Sequence, residues 1–431
     1  MAAIHVPWQA LDMSYKPTVA SWNLTQACNL RCSHCYLDAG KATPHELLTA
    51  EGFQLIDQLR ELGTDLLILT GGEPLLRRDL FSLARHASEC GMMVVLGTNG
   101  TLLDEGMAQR LKASGVQGVG ISLDSLTPEK HDTFRGLRGA WEKAVRAIEI
   151  CIAQGLEVAV QTSVLPMNYD EIPQLIAFAY EKGARAFNAY FLICTGRGEK
   201  LTDITPQQYE ALLNDLIDAQ ARYVSEKRSF LVRAKCAPHI KRLAHKKLAG
   251  GMACRARTKA GAIGLLAAAG CPAGTSYLRI GPQGDVTPCP YLPFVLGNVR
   301  QTPLRQIWEG SEVLHKLRAL ELQGRCGVCE FKELCVGCRA RAFALTGDLF
   351  NEDPWCAYQP GERSPLEKRA AVAWTAEALA RIEKIPPFAR ERVRQSVEAY
   401  ARARGLEQIT PELLAQLRPA FTRKKGEDRH V

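Results

Sequence analysis

The sequence lacks any apolar run long enough to span a membrane. The longest, GAIGLLAAAG at 261–270, is well short of the ~20 residues that a membrane helix needs. The N-terminus, MAAIHVPWQALDMSYKP, also lacks the basic segment and apolar run of a secretory signal peptide. We therefore expect a cytoplasmic protein without a membrane span.

The chain also lacks a basic strand pattern interleaved with aromatic residues, so we expect no nucleic-acid partner. Its net charge is +8, and residues 366–431 supply +5 of it, from 14 Lys+Arg and 9 Asp+Glu. A solvated basic face explains such a charge, and an acidic ligand or acidic partner surface is the functional alternative.

Cysteine, in contrast, is abundant, with 15 residues in a chain of 431. In a long chain without a secretion signal, many cysteines indicate metal or cluster ligation in a reducing compartment rather than disulfides. The length itself favours two or three domains.

From about residue 18 to 226, β-branched apolar runs alternate with amphipathic stretches, which predicts an α/β fold with a parallel sheet covered by helices. The predicted strands are 18–25, 66–71, 93–98, 117–124, 157–165 and 185–193. The predicted helices are 49–63, 79–90, 104–114, 140–154, 170–182 and 206–226. Periodicity alone does not choose between a partial barrel of six βα units and a doubly wound sheet.

Past residue 230 the sequence becomes rich in Cys, Gly and Pro, and such a segment needs metal to hold its shape. A helical pattern returns near 366. We predict five regions: an N-terminal extension (1–15), a core domain (16–235), a cluster-binding domain (236–362), a small all-α domain (366–420) and a disordered basic tail (421–431).

Three cysteines, Cys28, Cys32 and Cys35, stand on the loop after the first predicted strand in the spacing C-x3-C-x2-C. Three thiolates can hold three irons of a [4Fe–4S] cube and leave the fourth iron without a protein ligand. In barrel-like βα folds the loops at the carboxyl ends of the strands carry the chemistry. Polar groups follow other strands at the same end, including those of Glu73, Asn99 and Ser122, and predict one pocket.

The motifs CNLRCSHCY (28–36), GGEP (71–74) and ISLD (121–124) resemble those of radical S-adenosylmethionine (SAM) enzymes, over roughly residues 16–235. The resemblance implies a partial (β/α)6 TIM-like barrel and a 5′-deoxyadenosyl radical, with an electron from a flavodoxin- or ferredoxin-type donor. Cys28, Cys32 and Cys35 would bind the [4Fe–4S] cluster. Gly71, Gly72 and Glu73 would receive the methionine amine of SAM, Tyr36 would lie near its adenine, and Asn99, Ser122 and Arg135 would contact ribose or carboxylate.

The downstream cysteines resemble the SPASM extension, which holds auxiliary [4Fe–4S] clusters. By this resemblance one cluster takes Cys326, Cys329, Cys335 and Cys356, and a second takes Cys271, Cys289 and Cys338. The usual cysteine about six residues after Cys271 is absent, because Tyr277 stands there. The second cluster therefore has an open iron, takes Cys236 or Cys254, or does not form. A zinc ribbon is the alternative for C-x2-C-x5-C-x2-C, and Cys90, Cys151 and Cys194 are interpreted as small buried hydrophobic residues.

Several stretches resemble the heme d1 and alternative heme branch, whose enzymes act on siroheme-derived tetrapyrroles: RAKCAPHIKR (233–242), GDVTPCPYLP (284–293), GNVR (297–300) and CVGCRARAFALTGDLFNEDPWC (335–356). The resemblance implies removal or modification of an acetate or propionate side chain. The candidates for carboxylate contacts are Arg233, Lys235, His239 and Lys241, with His239 also a candidate axial ligand.

Residues 374–414 resemble the small helical domain of light-independent protochlorophyllide reductase, and we interpret them as a docking or substrate-closing module. The main alternative function is a peptide or protein maturase with the same cofactors. Only about 15 residues precede the first strand, which disfavours a peptide-recognition domain there. A non-enzymatic electron relay is disfavoured by the intact C-x3-C-x2-C loop and GGEP.

Overall fold

The computed structural model describes residues 15–249 and 270–361 and most of 373–422, where it leaves out 384, 386–389, 391–392, 395–396, 399, 402–405 and 407. Residues 15–247 and 270–360 form one compact unit, and the described residues of 373–422 form another. The predicted tail beyond 422, the first 14 residues and Cys254 lie outside the described residues.

Seven parallel strands follow one another across the sheet of the larger unit, in the order of the sequence. They are β1 (Val19–Asn23), β2 (Leu66–Thr70), β3 (Met93–Thr98), β4 (Val116–Ser122), β5 (Glu157–Val164), β6 (Ala186–Phe191) and β7 (Leu231–Lys235). The first six confirm the predicted strands. The seventh was not predicted as a strand, although it lies within the predicted core domain.

Helices connect these strands and cover one face of the sheet. They are α1 (Thr49–Glu61), α2 (Leu80–Glu89), α3 (Glu105–Ala113), α4 (Pro128–Arg135), α5 (Ala140–Ala153), α6 (Ile172–Glu181) and α7 (Pro206–Ser225). The predicted capping box of α7 is present, with the Thr205 hydroxyl and the Gln208 side chain each accepting from the other's backbone N–H. Because the helices bury apolar residues such as Leu55 and Leu83 against Trp22 of β1, the core lies between sheet and helices.

The cysteine-rich segment extends the same sheet. Strand β8 (Tyr277–Ile280) pairs in parallel with β1, and β9 (Asp285–Thr287) and β10 (Gly297–Asn298) follow in antiparallel register. The order is β10-β9-β8-β1-β2-β3-β4-β5-β6-β7, so the two outermost strands are not neighbours. This arrangement confirms an open, partial barrel.

Short helices complete the segment: α8 (His239–Ala249), α9 (Leu304–Gly310), α10 (Glu312–Ala319), α11 (Gly324–Val328), α12 (Lys332–Cys335) and α13 (Arg339–Thr346). The sequence offered little apolar pattern for a core here, yet Leu278, Ile280 and Trp308 are almost fully buried. They join the core of the barrel because β8 is an added strand of its sheet.

The smaller unit contains α14 (Ala376–Glu383) and α15 (Pro411–Thr422) around a core that includes Ala378, Val397 and Ile409. Besides its helices it has one parallel pairing, between β11 (Ala373–Trp374) and β12 (Gln408–Ile409). Among the residues that the structure describes, no helix is long and apolar enough to cross a membrane.

Candidate active site

A cavity of about 590 Å³ opens within the barrel, at the carboxyl ends of its strands. Nine of the ten residues predicted for the cluster and SAM line it: Cys28, Cys32, Cys35, Tyr36, Gly71, Gly72, Asn99, Ser122 and Arg135. The fold therefore brings together residues that are up to about 100 positions apart in the sequence.

The three thiols of the first loop are buried or half-buried and receive hydrogen bonds. The backbone N–H of Leu30 donates to Cys28 Sγ at 3.4 Å, and that of Ala39 donates to Cys35 Sγ at 3.4 Å. Burial raises the pKa of the Cys28 thiol to about 11. The hydrogen bond from Leu30 acts in the opposite direction, because it favours the thiolate state that iron ligation requires. The donor set thus fits a cluster with three protein ligands.

Arg197, which follows β6, holds this loop from the far side of the barrel. Its Nε donates to the Cys32 carbonyl at 2.9 Å, and its Nη1 donates to the Asp38 carboxylate at 2.6 Å. Its own backbone N–H donates to the Cys35 carbonyl at 3.1 Å. No sequence signal indicated this role, because Arg197 is remote from the motif and becomes its neighbour only when the barrel forms.

His34 is a second residue that sequence reasoning missed. Its ring stacks on Phe134, with 4.4 Å between the centroids and 9° between the planes, and it lines the cavity. Burial lowers its pKa to about 3, so the ring is neutral at pH 7. The sequence signal that could have identified His34 is its position inside the motif, between Cys32 and Cys35.

Gly71 and Gly72 let the loop after β2 approach the cysteine loop. A Cβ on Gly72 would lie 2.2 Å from the Ala27 carbonyl oxygen, and one on Gly71 would lie 2.6 Å from that of Thr25. Gly71 also has a φ of 149°, which favours glycine. The structure therefore gives the glycines a contact with protein backbone, in addition to the expected closeness to a ligand.

Glu73 is the predicted residue that does not line the cavity. Its fully buried carboxylate accepts from the Thr98 hydroxyl at 2.8 Å, the Asn99 N–H at 2.9 Å and the Leu75 N–H at 3.1 Å. Burial raises its pKa to about 7 despite these donors. The side chain braces the loop after β2 against the loop after β3, because its oxygens are used by those donors.

Arg135 lines the cavity beside the cluster loop. Its Nε donates to the buried Asp124 carboxylate at 2.6 Å, and its Nη1 lies 3.9 Å from Cys32 Sγ. The guanidinium holds the pKa of Asp124 below its usual value. The arginine is thus fixed by Asp124 and can also face a ligand.

Tyr36 and Asn99 are held by protein contacts. The Tyr36 hydroxyl accepts from Asn23 Nδ2 at 2.9 Å, and its ring meets Tyr291 edge-on at 5.1 Å. Asn99 Nδ2 donates to Asn29 Oδ1 at 2.9 Å, which links the loop after β3 to the cysteine loop.

A second group of thiols surrounds a small cavity of about 30 Å³: Cys326, Cys329, Cys335 and Cys356. The N–H groups of Phe331, Gly337 and Tyr358 each hydrogen-bond the sulfur of the cysteine two residues before them. The four residues predicted to share one auxiliary cluster therefore lie around one space. This four-thiol group fits a cluster without a vacant iron.

His239 lies against this second group rather than in the large cavity. Its Nε2 is 3.2 Å from the buried Asp353 carboxylate, which raises the pKa of the imidazole to about 9. The same ring lowers the pKa of the nearby Cys356 thiol. The structure thus gives His239 a place beside the auxiliary thiols, and it does not line the large cavity as an axial ligand or carboxylate contact would.

A third group of thiols lines the wall of the large cavity: Cys236, Cys271, Cys289 and Cys338. The N–H groups of Ala273 and Arg339 hydrogen-bond the Cys271 sulfur, and that of Tyr291 hydrogen-bonds the Cys289 sulfur. Of the two alternative partners for this group, Cys236 lies in the wall of the cavity, and Cys254 lies outside the described residues.

Two lysines, Lys235 at the end of β7 and Lys241 on α8, also line the large cavity. Burial lowers the pKa of Lys235 to about 8 and lowers that of Lys241. Within the described residues neither ammonium makes a hydrogen bond or ion pair. Arg233, the remaining predicted cation, is exposed and does not line the cavity.

Of the three isolated cysteines, Cys151 is fully buried among apolar residues, as predicted. Cys194 is half-buried. Cys90 is half-buried and polar in its surroundings, since its sulfur lies 3.7 Å from Asp57 Oδ1 and 3.9 Å from His86 Nε2. The interpretation of Cys90 as a small buried hydrophobic residue holds in part, because Cys90 packs against the core while Asp57 of α1 and His86 of α2 lie beside its sulfur.

Three protein families match parts of the chain. Residues 22–179 match the radical SAM superfamily, residues 271–339 match an iron–sulfur cluster-binding domain (SPASM), and residues 374–418 match the proto-chlorophyllide reductase 57 kD subunit.

Known proteins and a solved structure are also similar to this chain. The AdoMet-dependent heme synthase of Methanosarcina barkeri is 39% identical over 357 residues, which are 82% of this chain and 100% of that protein. The pre-heme d1 synthase of Dinoroseobacter shibae is 33% identical over 80% of this chain and 90% of that one. The crystal structure of Streptococcus suis SuiB bound to S-adenosylmethionine has a TM-score of 0.63 at 16% identity, covering 80% of this chain and 78% of that one, and shows the shared fold.

Proposed function

This chain belongs to the radical SAM enzyme family that includes the AdoMet-dependent heme synthases, and we propose that it removes or modifies an acetate or propionate side chain of a siroheme-derived tetrapyrrole. The observation that carries the proposal is the shared cavity. Its wall contains the three-thiol loop, the buried Lys241 and the half-buried Lys235.

The cofactors are a [4Fe–4S] cluster, SAM and auxiliary clusters of the SPASM type. We assign the first cluster to Cys28, Cys32 and Cys35, whose three thiols leave one iron for SAM. When bound, this cluster and SAM supply a carbon-centred radical that takes a hydrogen atom from the substrate. The residues of the chain have the tasks of binding, orienting and excluding water.

The loops hold the cofactor site rigid before any ligand arrives. Gly71 and Gly72 allow the loop after β2 to touch the cysteine loop, while Glu73 braces it from behind. Arg197 fixes the backbone of the cysteine loop from β6. Since radical chemistry depends on the distance between the reactive carbon and the substrate, such bracing positions the reacting atoms.

Lys235 and Lys241 are placed to bind substrate carboxylates. A buried ammonium without a protein partner is costly, and a carboxylate from the ligand would remove this cost. A tetrapyrrole with acetate and propionate side chains carries several carboxylates around its edge. The two lysines would therefore hold a substrate by groups of the kind that the reaction changes.

We also propose a flavodoxin- or ferredoxin-type electron donor, because the first cluster must receive a single electron for each turnover. The proposal includes a cytoplasmic location, where thiols are kept reduced. No nucleic-acid partner is part of it.

The test is anaerobic incubation of the reconstituted protein with SAM, a reductant and either siroheme or didecarboxysiroheme. Chromatography follows 5′-deoxyadenosine, and mass spectrometry follows the tetrapyrrole. We expect faster 5′-deoxyadenosine formation with a tetrapyrrole and a lower mass of one of its side chains. If neither changes, the tetrapyrrole assignment is wrong, and a peptide or protein maturase becomes the next hypothesis to test.

A further inference from the structure

We propose that Cys236 is the fourth protein ligand of an auxiliary [4Fe–4S] cluster whose other ligands are Cys271, Cys289 and Cys338. It would replace the cysteine that the SPASM pattern has about six residues after Cys271. This inference rests on the auxiliary clusters of the proposed function and does not depend on the tetrapyrrole substrate.

The four thiols come from four separate segments that the fold brings to one wall of the cavity. Cys236 follows β7, Cys271 precedes β8, Cys289 follows β9, and Cys338 immediately precedes α13. Among the described residues these are the cysteines that line the large cavity apart from those of the first loop. Four cysteine thiolates are the usual ligand set of a [4Fe–4S] cluster.

Contacts between the segments support their closeness. Arg341 lies on α13, the helix that Cys338 precedes, and its Nη2 donates to the Cys236 carbonyl at 3.3 Å, so the turn after β7 lies against the start of α13. The backbone N–H of Arg339, the residue after Cys338, hydrogen-bonds the Cys271 sulfur. A cluster would neutralise the thiolates that such a group brings together.

Tyr277 stands where the usual cysteine is missing, and its side chain has another task. Its hydroxyl hydrogen-bonds the Ser21 hydroxyl, which joins the start of β8 to β1. The position is therefore used to attach the added strand to the barrel. The fourth ligand of the cluster would therefore come from a thiol in another segment.

The backbone of Cys236 is held in a conformation that costs energy. Its φ is 58°, in the left-handed region, where residues other than glycine are disfavoured. Its carbonyl accepts from the Tyr209 hydroxyl at 3.1 Å and from Arg341 Nη2 at 3.3 Å. These two buried donors fix the turn after β7, which places the thiol in the cavity wall.

With four thiolates, this cluster has no vacant iron to chelate a substrate carboxylate or SAM. It would face the cavity as an electron-transfer centre. Open coordination would then be confined to the loop of Cys28, Cys32 and Cys35.

The test uses a C28A/C32A/C35A background, in which only auxiliary clusters remain. We expect about eight irons per chain there, from four irons per cube. Adding Cys236→Ala should lower this to about four, or to about seven if a three-iron cluster survives, and change the electron paramagnetic resonance (EPR) signal of one cluster. Cys194→Ala, a half-buried cysteine outside the three groups, is the matched control and should keep about eight irons.

Two further variants keep the result decisive if Cys236→Ala folds poorly. Cys236→Ser offers an oxygen ligand, so we expect near-normal iron content with a shifted reduction potential of one auxiliary cluster. Cys254→Ala tests the competing ligand and should change neither iron content nor potential. The proposal is overturned if Cys236→Ser leaves both potentials unchanged, or if Cys254→Ala is the variant that loses iron. Either outcome leaves the tetrapyrrole proposal untouched, because no substrate is present.

Discussion

The cysteine loop at 28–35 and the cysteine-rich segment after 230 differ in the number of thiols that they bring together in one group. The loop offers three thiols within eight residues, close to glycines and polar groups that can face a ligand. Among the described residues, the later segment gathers eight thiols in two groups of four, drawn from distant positions. Three ligands leave one iron for chemistry, whereas four complete the cube. On our proposal, the count of thiols separates the reactive centre from the supporting ones.

The largest effect should come from removing the three thiols of the cysteine loop, whose cluster has one iron open to SAM in our proposal. In the variant C28A/C32A/C35A we expect no detectable SAM cleavage and a loss of about four irons per chain, because no other described group leaves an iron open. Iron analysis and 5′-deoxyadenosine formation measure the two outcomes.

Cys90→Ala is the control for that variant, since this cysteine lies outside the three groups, and it should keep both properties. Cleavage at the wild-type rate by the triple variant would show that the reactive cluster lies elsewhere.

Removing the auxiliary cluster at the small cavity, which has four thiol ligands in our proposal, should have a different result. In Cys329→Ala/Cys356→Ala we expect a loss of about four irons, retained SAM cleavage without substrate, and loss of side-chain modification. The reason is that these thiols surround a separate small cavity, away from the SAM motifs. Mass spectrometry of the tetrapyrrole together with iron analysis checks it. Unchanged tetrapyrrole modification would mean that this cluster is not needed for turnover.

A methyl group added where the loop after β2 touches the cysteine loop should have a smaller effect than removal of the three thiols. In Gly72→Ala the new Cβ would lie 2.2 Å from the Ala27 carbonyl oxygen, so one of the loops must move. We expect the KM for SAM to rise by tenfold or more, which corresponds to about 1.4 kcal/mol.

Gly310→Ala is the matched control for Gly72→Ala, because a Cβ there meets nothing within 4 Å. The KM for SAM should be unchanged in this control. Equal KM values for the two variants would mean that the loop contact does not position SAM.

The smallest effect concerns the substrate side of the cavity. In Lys235→Met we expect the KM for the tetrapyrrole to rise about tenfold with a smaller change in kcat, since one buried charge contact is lost. Lys235→Arg should restore part of the affinity. Iron content is measured as a control and must be normal, because Lys235 is adjacent to Cys236 and a disturbed cluster there would also change the KM. Lys143→Met, at an exposed position, is the control, and an equal KM in all three variants would exclude a carboxylate contact at Lys235.

The barrel could be predicted because its strands and helices are long and periodic. Strand β8 could not, since its four residues, YLRI, carry too short a pattern, and its pairing with β1 is a long-range contact. The same distinction between local patterns and long-range contacts applies to the residues of the site. Local motifs marked Cys28, Cys32, Cys35 and Gly72, whereas Arg197 became a neighbour of the loop only through the fold.

The ligand sets of the auxiliary thiols show the same limit. The resemblance to the SPASM extension implied a common cluster for Cys326, Cys329, Cys335 and Cys356, and the structure places these four cysteines around one cavity. Spacing left Cys236 as one of several alternatives, because its nearness to Cys271 and Cys338 depends on where β7 ends and α13 begins. The direction of Glu73, toward Thr98 rather than the cavity, was likewise hidden from the motif.

The most direct measurement is EPR of the reduced protein with and without SAM, in the wild type and in C28A/C32A/C35A. The account predicts that SAM changes the signal of one cluster in the wild type and changes nothing in the variant, where every remaining iron is capped by thiolate. A SAM-dependent change in the variant, or none in the wild type, would contradict it.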